Sequence, residues 1–454
     1  MATASNTILQ IAHYSDMTKW SAHDAVFREV GGRFPLVPLS KILKRVKDPV
    51  TIEDDTLYKR ITVRLYGQGV LQRDEVLGKD IGTKRQFIAH AGQLIISRID
   101  ARNGAFGIIP ELLEGAIVTN DFWLFDVMGA LPEYLMLMLS SDLFQKYWQT
   151  QSSGTTNRQR VSEDSFLDSK IAMPDSDTQK KLIEKYLARH RDAELSDLQV
   201  QNTIADINTL LFSELGIEER KLEGNSKPIC FVAFSNLYQW GVDKNTSFFP
   251  YEFKKYKAFS FYSRPTWLKT ILRGKSPKYS AYSANIILNQ KCNRTDSIDL
   301  SFAKTVDAEW LDKFDKGCLT REGDILINST GEGTLGRASI ITKEYVGFAY
   351  DSHMLLLRVN KEEVDPQLIV DLINSPFGQR QVELNKSAQA TKQTELGVDN
   401  TKRFLFPLPD LSEQRRISAE IEEKKKRIVT LRKKTETFRL LAKSEFEEAV
   451  FGET

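Results

Sequence analysis

The sequence predicts an α+β protein: two similar mixed α/β units and two long helices packed as an antiparallel coiled coil. Three observations carry this prediction: an ordered series of local patterns that occurs twice, a glycine-then-strand pattern inside each copy, and a heptad-spaced helix closing each copy. Residues near Trp20 to Phe212 and residues near Trp240 to Phe446 match in order, displaced by roughly 220 to 235 positions.

Residues 1–33 form a lead-in whose Met17-Thr18-Lys19-Trp20 is mirrored by Leu237-Tyr238-Gln239-Trp240. Phe34-Pro35-Leu36-Val37-Pro38-Leu39 opens the first globular unit, 34–175. Inside it, Ala91-Gly92-Gln93-Leu94-Ile95-Ile96-Ser97 reads as a turn glycine and a strand, as does Glu322-Gly323-Asp324-Ile325-Leu326-Ile327-Asn328 in the second unit, 267–410. Val118 to Leu124 and Ala349 to Leu355 are strand-like by their β-branched and aromatic content. Pro132 to Ser141 and Pro366 to Ser375 are proline-started helices with apolar residues at a 3.6 period. Met173-Pro174-Asp175 and Leu408-Pro409-Asp410 then open the two long helices, 176–216 and 411–450, and 217–266 reads as a linker and lead-in to the second repeat.

In the second long helix, Ile417, Ile421, Lys424, Ile428, Leu431, Thr435, Phe438 and Ala442 keep a 4-3-4-3 spacing, which holds a seam on one side of an under-wound helix. The corresponding series in the first is Leu182, Tyr186, Arg189, Ala193, Ser196, Val200, Thr203, Ile207 and Leu210. A helix of about 35 residues is roughly 50 Å long and is not stable alone. Pairing the two helices satisfies both seams and makes a spacer between the units.

Composition excludes several classes. The 454 residues are 41% apolar and 10% aromatic, enough for real cores, and 63 basic against 61 acidic residues leave a net charge of +2. Any basic surface is therefore local. Cys230, Cys292 and Cys318 are widely spaced and show neither a metal nor a disulfide pattern, which suits a reducing cytoplasm. No apolar run approaches the roughly 20 residues of a membrane helix, and Met1 to Gln10 lacks the regions of a signal peptide.

Searches for catalysis fail in informative ways. Gly331-Glu332-Gly333-Thr334-Leu335-Gly336 fits a dinucleotide fingerprint, but strand rather than helix is expected after it. Arg273-Gly274-Lys275-Ser276 lacks the upstream glycine of a phosphate loop and reads as a turn. Pro409-Asp410 with Glu422 and Lys424 resembles a nuclease metal site, yet Glu422 and Lys424 lie on the heptad helix, and the first copy carries Leu187 and Arg189 there. His13, His23, His90, His190 and His353 form no pair at ligand spacing, so no metal site is expected, and no nucleophile turn occurs. No catalytic residue is assigned.

Polar loops remain. Ser152 to Arg160 follows the Pro132 helix, and Ser387 to Thr394 holds the same place in the second repeat. Their Ser153, Thr155, Thr156, Asn157, Arg158 and Arg160, and Gln389, Thr391, Lys392 and Gln393, are residue types that hydrogen-bond phosphates and base edges. Arg98, Arg102 and Asn103 beside Gly104, and Ser329, Thr330 and Arg337 in the second copy, are weaker candidates of the same sort. The second loop has one cation, Lys392, where the first has Arg158 and Arg160.

From about residue 34 to 450 the chain resembles the specificity (S) subunit of type I restriction–modification systems. The resemblance rests on Gly92-Gln93-Leu94-Ile95-Ile96-Ser97-Arg98-Ile99-Asp100 with Gly104-Ala105-Phe106-Gly107-Ile108-Ile109-Pro110, and on both Pro-x-x-x-x-Gln-(Lys/Arg)-(Lys/Arg) helix starts, Pro174 to Lys181 and Pro409 to Arg416. It implies two target recognition domains, each reading one half of a split double-stranded DNA target. The chain itself is then non-catalytic and cofactor-free. Two methyltransferase subunits would dock on the helices and supply S-adenosylmethionine chemistry, and restriction/translocase subunits using ATP and Mg would cleave. Domain centres 35 to 50 Å apart correspond to roughly 10 to 15 base pairs at about 3.4 Å each, which lets both domains face one side of a duplex. Because the two polar loops differ, the target is expected to be asymmetric. Competing readings are a scaffold with duplicated protein-binding domains and the recognition subunit of a related DNA-modification defence system.

Overall fold

The structure, a computed structural model, describes residues 33–65, 67–150, 162–220, 249–388 and 394–452. It is a mixed α+β fold that divides into two compact units, residues 1–197 with 433–454 and residues 198–432. Each long helix therefore contributes one half to each unit.

The first unit is built on β1 (Leu43–Val46), β2 (Leu94–Ser97), β3 (Phe106–Ile108) and β4 (Phe122–Val127), an antiparallel sheet in the order β1-β4-β2-β3. The apolar run of β2 lacks the polar alternation of a half-buried strand because both sheet faces are covered. Leu94 and Ile96 point into a core with Trp123 and Phe125, while Ile95 and Leu124 point into a second core on the other face. That other face carries a five-stranded sheet of Pro49–Thr51, Arg85–Ala89, Ala116–Val118, Leu57–Val63 and Val70–Leu77, which sequence reading did not anticipate. Helices α1 (Pro132–Ser140) and α2 (Asp142–Thr150) follow, and then the long helix α3 (Ser176–Leu215).

The second unit repeats the plan. β5 (Leu268–Arg273), β6 (Ile325–Asn328), β7 (Ala338–Ile340) and β8 (Met354–Val359) form an antiparallel sheet in the order β5-β8-β6-β7. Ile325, Ile327, Leu355 and Leu357 point to one core, and Leu326 and Leu356 to the other. Helices α4 (Pro366–Asn374), α5 (Pro376–Asn385) and the long α6 (Leu411–Phe451) complete the unit. Among the described residues of this unit the five-stranded sheet has no counterpart; two-residue pairings such as Ile286–Ile287 with Lys304–Thr305 occupy this stretch of chain.

The repeat extends to individual hydrogen bonds. Ser141 Oγ donates to the Met138 carbonyl at 2.7 Å and accepts from the Phe144 amide, and Ser375 Oγ does the same with Leu372 and Gly378. Asp175 caps α3 by accepting from the Thr178 amide at 2.9 Å, and Asp410 caps α6 by accepting from the Glu413 amide at 3.0 Å. Hydrogen bonds to Thr178 hold the Asp175 carboxyl below its ordinary pKa, and those to Ser412 and Glu413 do so for Asp410. The nuclease-like Pro409-Asp410 pair is thus a helix cap. Buried Gln179 accepts from the Leu131 amide at 2.9 Å and donates to the Pro174 carbonyl at 2.9 Å, while buried Gln414 accepts from the Asp365 amide at 2.9 Å and donates to the Pro409 carbonyl at 2.9 Å. Each long helix is thereby fastened to the loop that precedes its own unit's first proline-started helix.

Within each unit the two long helices meet. In the first, Phe446 of α6 packs on Tyr134 and Tyr186, Arg189 pairs with Glu445 at 2.8 Å, and Arg439 with Asp197 at 2.7 Å. In the second, Val200 clusters with Ile428 and Leu431, Leu211 and Leu215 share a core with Ile417 and Ile421, and Arg416 pairs with Glu214 at 2.6 Å. In both units rising numbers on α3 meet falling numbers on α6. Of the seam residues read from the sequence, Val200, Ile417, Ile421, Ile428 and Leu431 are buried, whereas Leu182, Tyr186, Ile207, Leu210 and Phe438 are half-buried. The neighbours Ile183, Leu211 and Leu215 lie deeper, because a 3.6-residue helix drifts off a strict 3.5 repeat and turns toward its unit's core.

Residues 249–266, read from the sequence as linker, belong to the second unit. Tyr251–Phe253 pairs with Ile217–Glu219 just after Gly216 (φ 64°) ends α3, Phe259–Ser260 pairs with Leu405–Phe406, and Tyr251 and Phe261 enter the core. The linker reading rested on the charges, Gly224 and Pro228 of the stretch 218–228, whereas the anchor is the aromatic-rich stretch 249–261 that follows. The lead-in, including Trp20 and Trp240, lies outside the described residues.

One polar contact has no first-unit equivalent among the described residues. Lys425 of α6 bonds buried Asp371 of α4 and lies 2.9 Å from Asp296, whose φ of 63° marks a tight turn. Burial pushes the Asp371 carboxyl up to about 6, only partly countered by Lys425. Burial also depresses Lys425, but its two carboxylates together hold it above its ordinary value.

Two predictions follow from these contacts. Gln414→Ala leaves the Asp365 amide and the Pro409 and Glu363 carbonyls without their partner and is expected to cost about 2–3 kcal/mol in urea unfolding of the second unit. For Asp371, the raised folded pKa means that the native state binds the proton more tightly than the unfolded state does. Its contribution therefore declines as pH rises from about 4 to about 6. Asp371→Asn is expected to flatten the stability profile across that window, and an unchanged slope would contradict the assignment.

Candidate nucleic-acid interface

The hairpin loops that join β2 to β3 and β6 to β7 hold every described candidate contact. In the first unit the loop runs from Arg98 through a single helical turn, Ala101–Asn103, to Gly104 at φ 71°. In the second it runs from Ser329 through Gly331 (φ 104°) and Gly333 (φ 71°) to Gly336 (φ 77°), with a strand following it. These left-handed positions favour glycine, and the dinucleotide-like pattern is a hairpin loop.

The side chains divide by burial. Ser329 is 0% exposed and faces the protein interior, which removes it as a base or phosphate contact. Its backbone is structural: the amide donates to His353 and the carbonyl accepts from Leu396. Arg98 is half-buried, its guanidinium 5.7 Å over Trp123 and donating to the Asn120 carbonyl, so packing accounts for much of it. Arg45 lies nearby, its pKa lowered by burial, with a contribution from Arg98, and it pairs with Glu163 at 3.1 Å. Asn103 is half-buried in the turn, and Arg337 donates to the Gly333 carbonyl at 2.8 Å, bracing the loop. Arg102 is placed by its backbone in the same turn.

Thr330 sits at a convergence. Its hydroxyl bonds His353 Nδ1 at 2.8 Å and Gln290 Oε1 at 3.3 Å, and its backbone bridges Glu395. Glu395 pairs with Arg273, which also donates to the Ser352 carbonyl at 3.0 Å, and Ser276 reaches Ser352 Oγ at 3.3 Å. Beneath them, buried Asp351 accepts from the His353 amide at 3.0 Å, and burial raises its carboxyl pKa. Five strand ends and loops thus deliver Arg273, Gln290, Thr330, His353 and Glu395 to one end of the β5–β8 sheet. Gly274 makes the approach possible, since a Cβ there would lie 2.0 Å from the Asp351 carbonyl oxygen.

The second polar loop emerges from this place. Ser387–Ala388 pairs with Thr394–Glu395, so the stem of that loop adjoins Thr330. Gln389, Thr391, Lys392 and Gln393 lie outside the described residues, as do Ser153, Thr155, Thr156, Asn157, Arg158 and Arg160. Sequence reading missed Arg273, Gln290 and His353. A turn was read at Arg273, and His353 lay in the repeated block that aligns Ala349 to Leu355 with Val118 to Leu124, where its polarity inside a strand pattern was the available signal.

Among the described residues no group of three or more His, Cys, Asp or Glu is placed to hold a metal, and no helix is long and apolar enough to cross a membrane.

Each unit thus carries an antiparallel four-stranded sheet with a hairpin loop at one end and a long helix later in the chain. Residues 251–437 match the family model of the type I restriction modification DNA specificity domain. This is the family that the sequence itself resembles. A chain from a solved structure on the complex assembly and conformational transition of the type I R-M system shares the fold, with a TM-score of 0.54 at 14% identity, covering 92% of this chain and 97% of that one. The HsdS subunit from Thermoanaerobacter tengcongensis aligns at 13% identity over 93% of this chain and 97% of that chain with a TM-score of 0.40. The type I restriction-modification system S subunit from M. genitalium aligns at 9% identity over 92% and 96% with a TM-score of 0.42. No curated protein matches in sequence.

Proposed function

We propose that this chain is the DNA-recognition subunit of a type I restriction–modification complex, its two units each reading one half of a bipartite, asymmetric site. The observation that carries this reading is the duplication. The family match falls on the second unit, and the first unit has the same sheet order, the same serine and glutamine contacts and the same hairpin loop. The first unit is on this reading a second DNA specificity domain, diverged beyond the reach of the family model.

The long helices act as the spacer and as the docking surface for methyltransferase subunits, two in number, and restriction/translocase subunits complete the complex. S-adenosylmethionine, ATP and Mg belong to those partners, and the chain works without a cofactor in the cytoplasm. Its near-neutral charge is compatible with partners that share the phosphate contacts. Base reading falls to the polar loops 152–160 and 387–394 together with the Thr330, His353 and Arg273 convergence, where neutral hydrogen-bonding side chains outnumber cations.

Two variants test the division of labour by fluorescence anisotropy on target duplex at several salt concentrations. Arg158→Ala with Arg160→Ala is expected to weaken binding and, for two phosphate contacts, to reduce the salt slope by about 2. Unchanged binding at every salt concentration would remove that loop from the interface. Glu395→Ala releases Arg273 from its ion pair and is expected to steepen the salt slope by about 1 if Arg273 faces phosphate. A shallower slope would contradict that placement.

A further inference from the structure

Tyr282 is 102% exposed, more than any other large apolar or aromatic side chain among the described residues. Yet the loop that carries it is held on both sides. The Gly274 amide donates to the Met354 carbonyl at 3.1 Å, Trp310 Nε1 to the Ser276 carbonyl at 3.0 Å, and the Asp307 amide to the Lys278 carbonyl at 2.9 Å. Ser280 exchanges two bonds with Thr305, its amide donating to the Thr305 carbonyl and its carbonyl accepting from Thr305 Oγ1. Beyond the tip, the Asn285 amide donates to Ser283 Oγ at 3.1 Å and the Val306 amide to the Asn285 carbonyl at 2.8 Å. Ordering a loop costs conformational entropy, and here the ordered tip presents a ring that adds nothing to the fold.

The loop leaves from and returns to the end of the sheet described above. Ser276 meets Ser352 at its start, and at its close the Asp351 amide donates to the Leu288 carbonyl while Gln290 meets Thr330. Its charges are basic: Lys275 and Lys278 lie on the loop, Arg273 ends the strand before it, and Lys304 sits 4.6 Å over the Tyr279 ring. Asp307 pairs with Lys278 at 3.5 Å and Glu395 with Arg273. A rigid aromatic tip flanked by cations fits a polyanion that also offers flat faces and sugar edges.

We propose that Gly274–Asn285 is a second DNA-contact loop of this unit, with Tyr282 packed against the bases or sugars of its half-site and Lys278 against phosphate. This rests on the DNA-reading function proposed above. It assigns to the unit a contact that the polar loop 387–394 does not supply.

The test uses the full chain assembled with its methyltransferase partner and a fluorescent duplex carrying the motif recovered by methylation mapping. Because Tyr282 packs on nothing, Tyr282→Ala is expected to fold and assemble normally. It is expected to weaken binding about tenfold, from loss of one aromatic stacking contact, with an unchanged salt slope. Tyr282→Phe is expected to keep most of the affinity, and Lys278→Ala to lower the salt slope by about 1. Wild-type binding by Tyr282→Ala at all salt concentrations, beside a weakened Arg158→Ala, Arg160→Ala double variant, would overturn the loop assignment and leave DNA reading standing. Loss of methyltransferase assembly in Tyr282→Ala would overturn it in favour of a protein contact. Failure of the unmodified complex to bind the duplex would overturn both readings.

Discussion

Burial of the two helical seams is the constraint on which the structure depends. A helix of 40 residues with an apolar stripe on one side cannot persist in water by itself. Ile417, Ile421, Ile428 and Leu431 are each buried, which at about 1.5–3 kcal/mol per side chain makes α6 stable only where something covers that stripe. The cover comes from α3 and from the globular cores, and the numbering of the contacts in each unit runs oppositely along the two helices. The partly solvated pairs, Arg189 with Glu445 and Arg416 with Glu214, add little energy beside this burial.

The second constraint is the attachment of each helix to its own sheet. Gln179 and Gln414 occupy the same position after the same proline and satisfy the same amide and carbonyl, so the direction in which each helix leaves its unit is fixed by buried hydrogen bonds rather than by a flexible joint. The Lys425 bridge to Asp371 and Asp296 reinforces the second unit alone. In the first unit, Tyr186 packs on Phe446.

What was legible in the sequence follows from how local each signal is. The repeat was visible because its markers recur in order: Gly92 and Gly323 at turns, Ser141 and Ser375 bonded three residues away, and Gln179 and Gln414 each five residues after a proline whose carbonyl it holds. The heptad helices were visible because periodicity is a one-dimensional property. The five-stranded sheet was not, since its strands Leu57–Val63 and Val70–Leu77 are half-exposed with weak alternation, and the second copy offers nothing to compare. The site was legible only in part. Placing Thr330 and the polar loops required only the repeat, but the meeting of Arg273 with Glu395 spans 122 residues and His353 with Thr330 spans 23, and no local pattern encodes such convergence. Ser329 was misplaced for a simple reason: it is fully buried while its neighbour Thr330 is only half-buried, a distinction that polarity alone does not reveal.

The most direct test of the central claim is whole-genome methylation mapping in a host carrying the partner methyltransferase with and without this chain. The account predicts a split, asymmetric methylated motif that disappears when the chain is deleted, with half-sites roughly one helical turn apart. An active methyltransferase whose methylation pattern is unchanged by the deletion would contradict it.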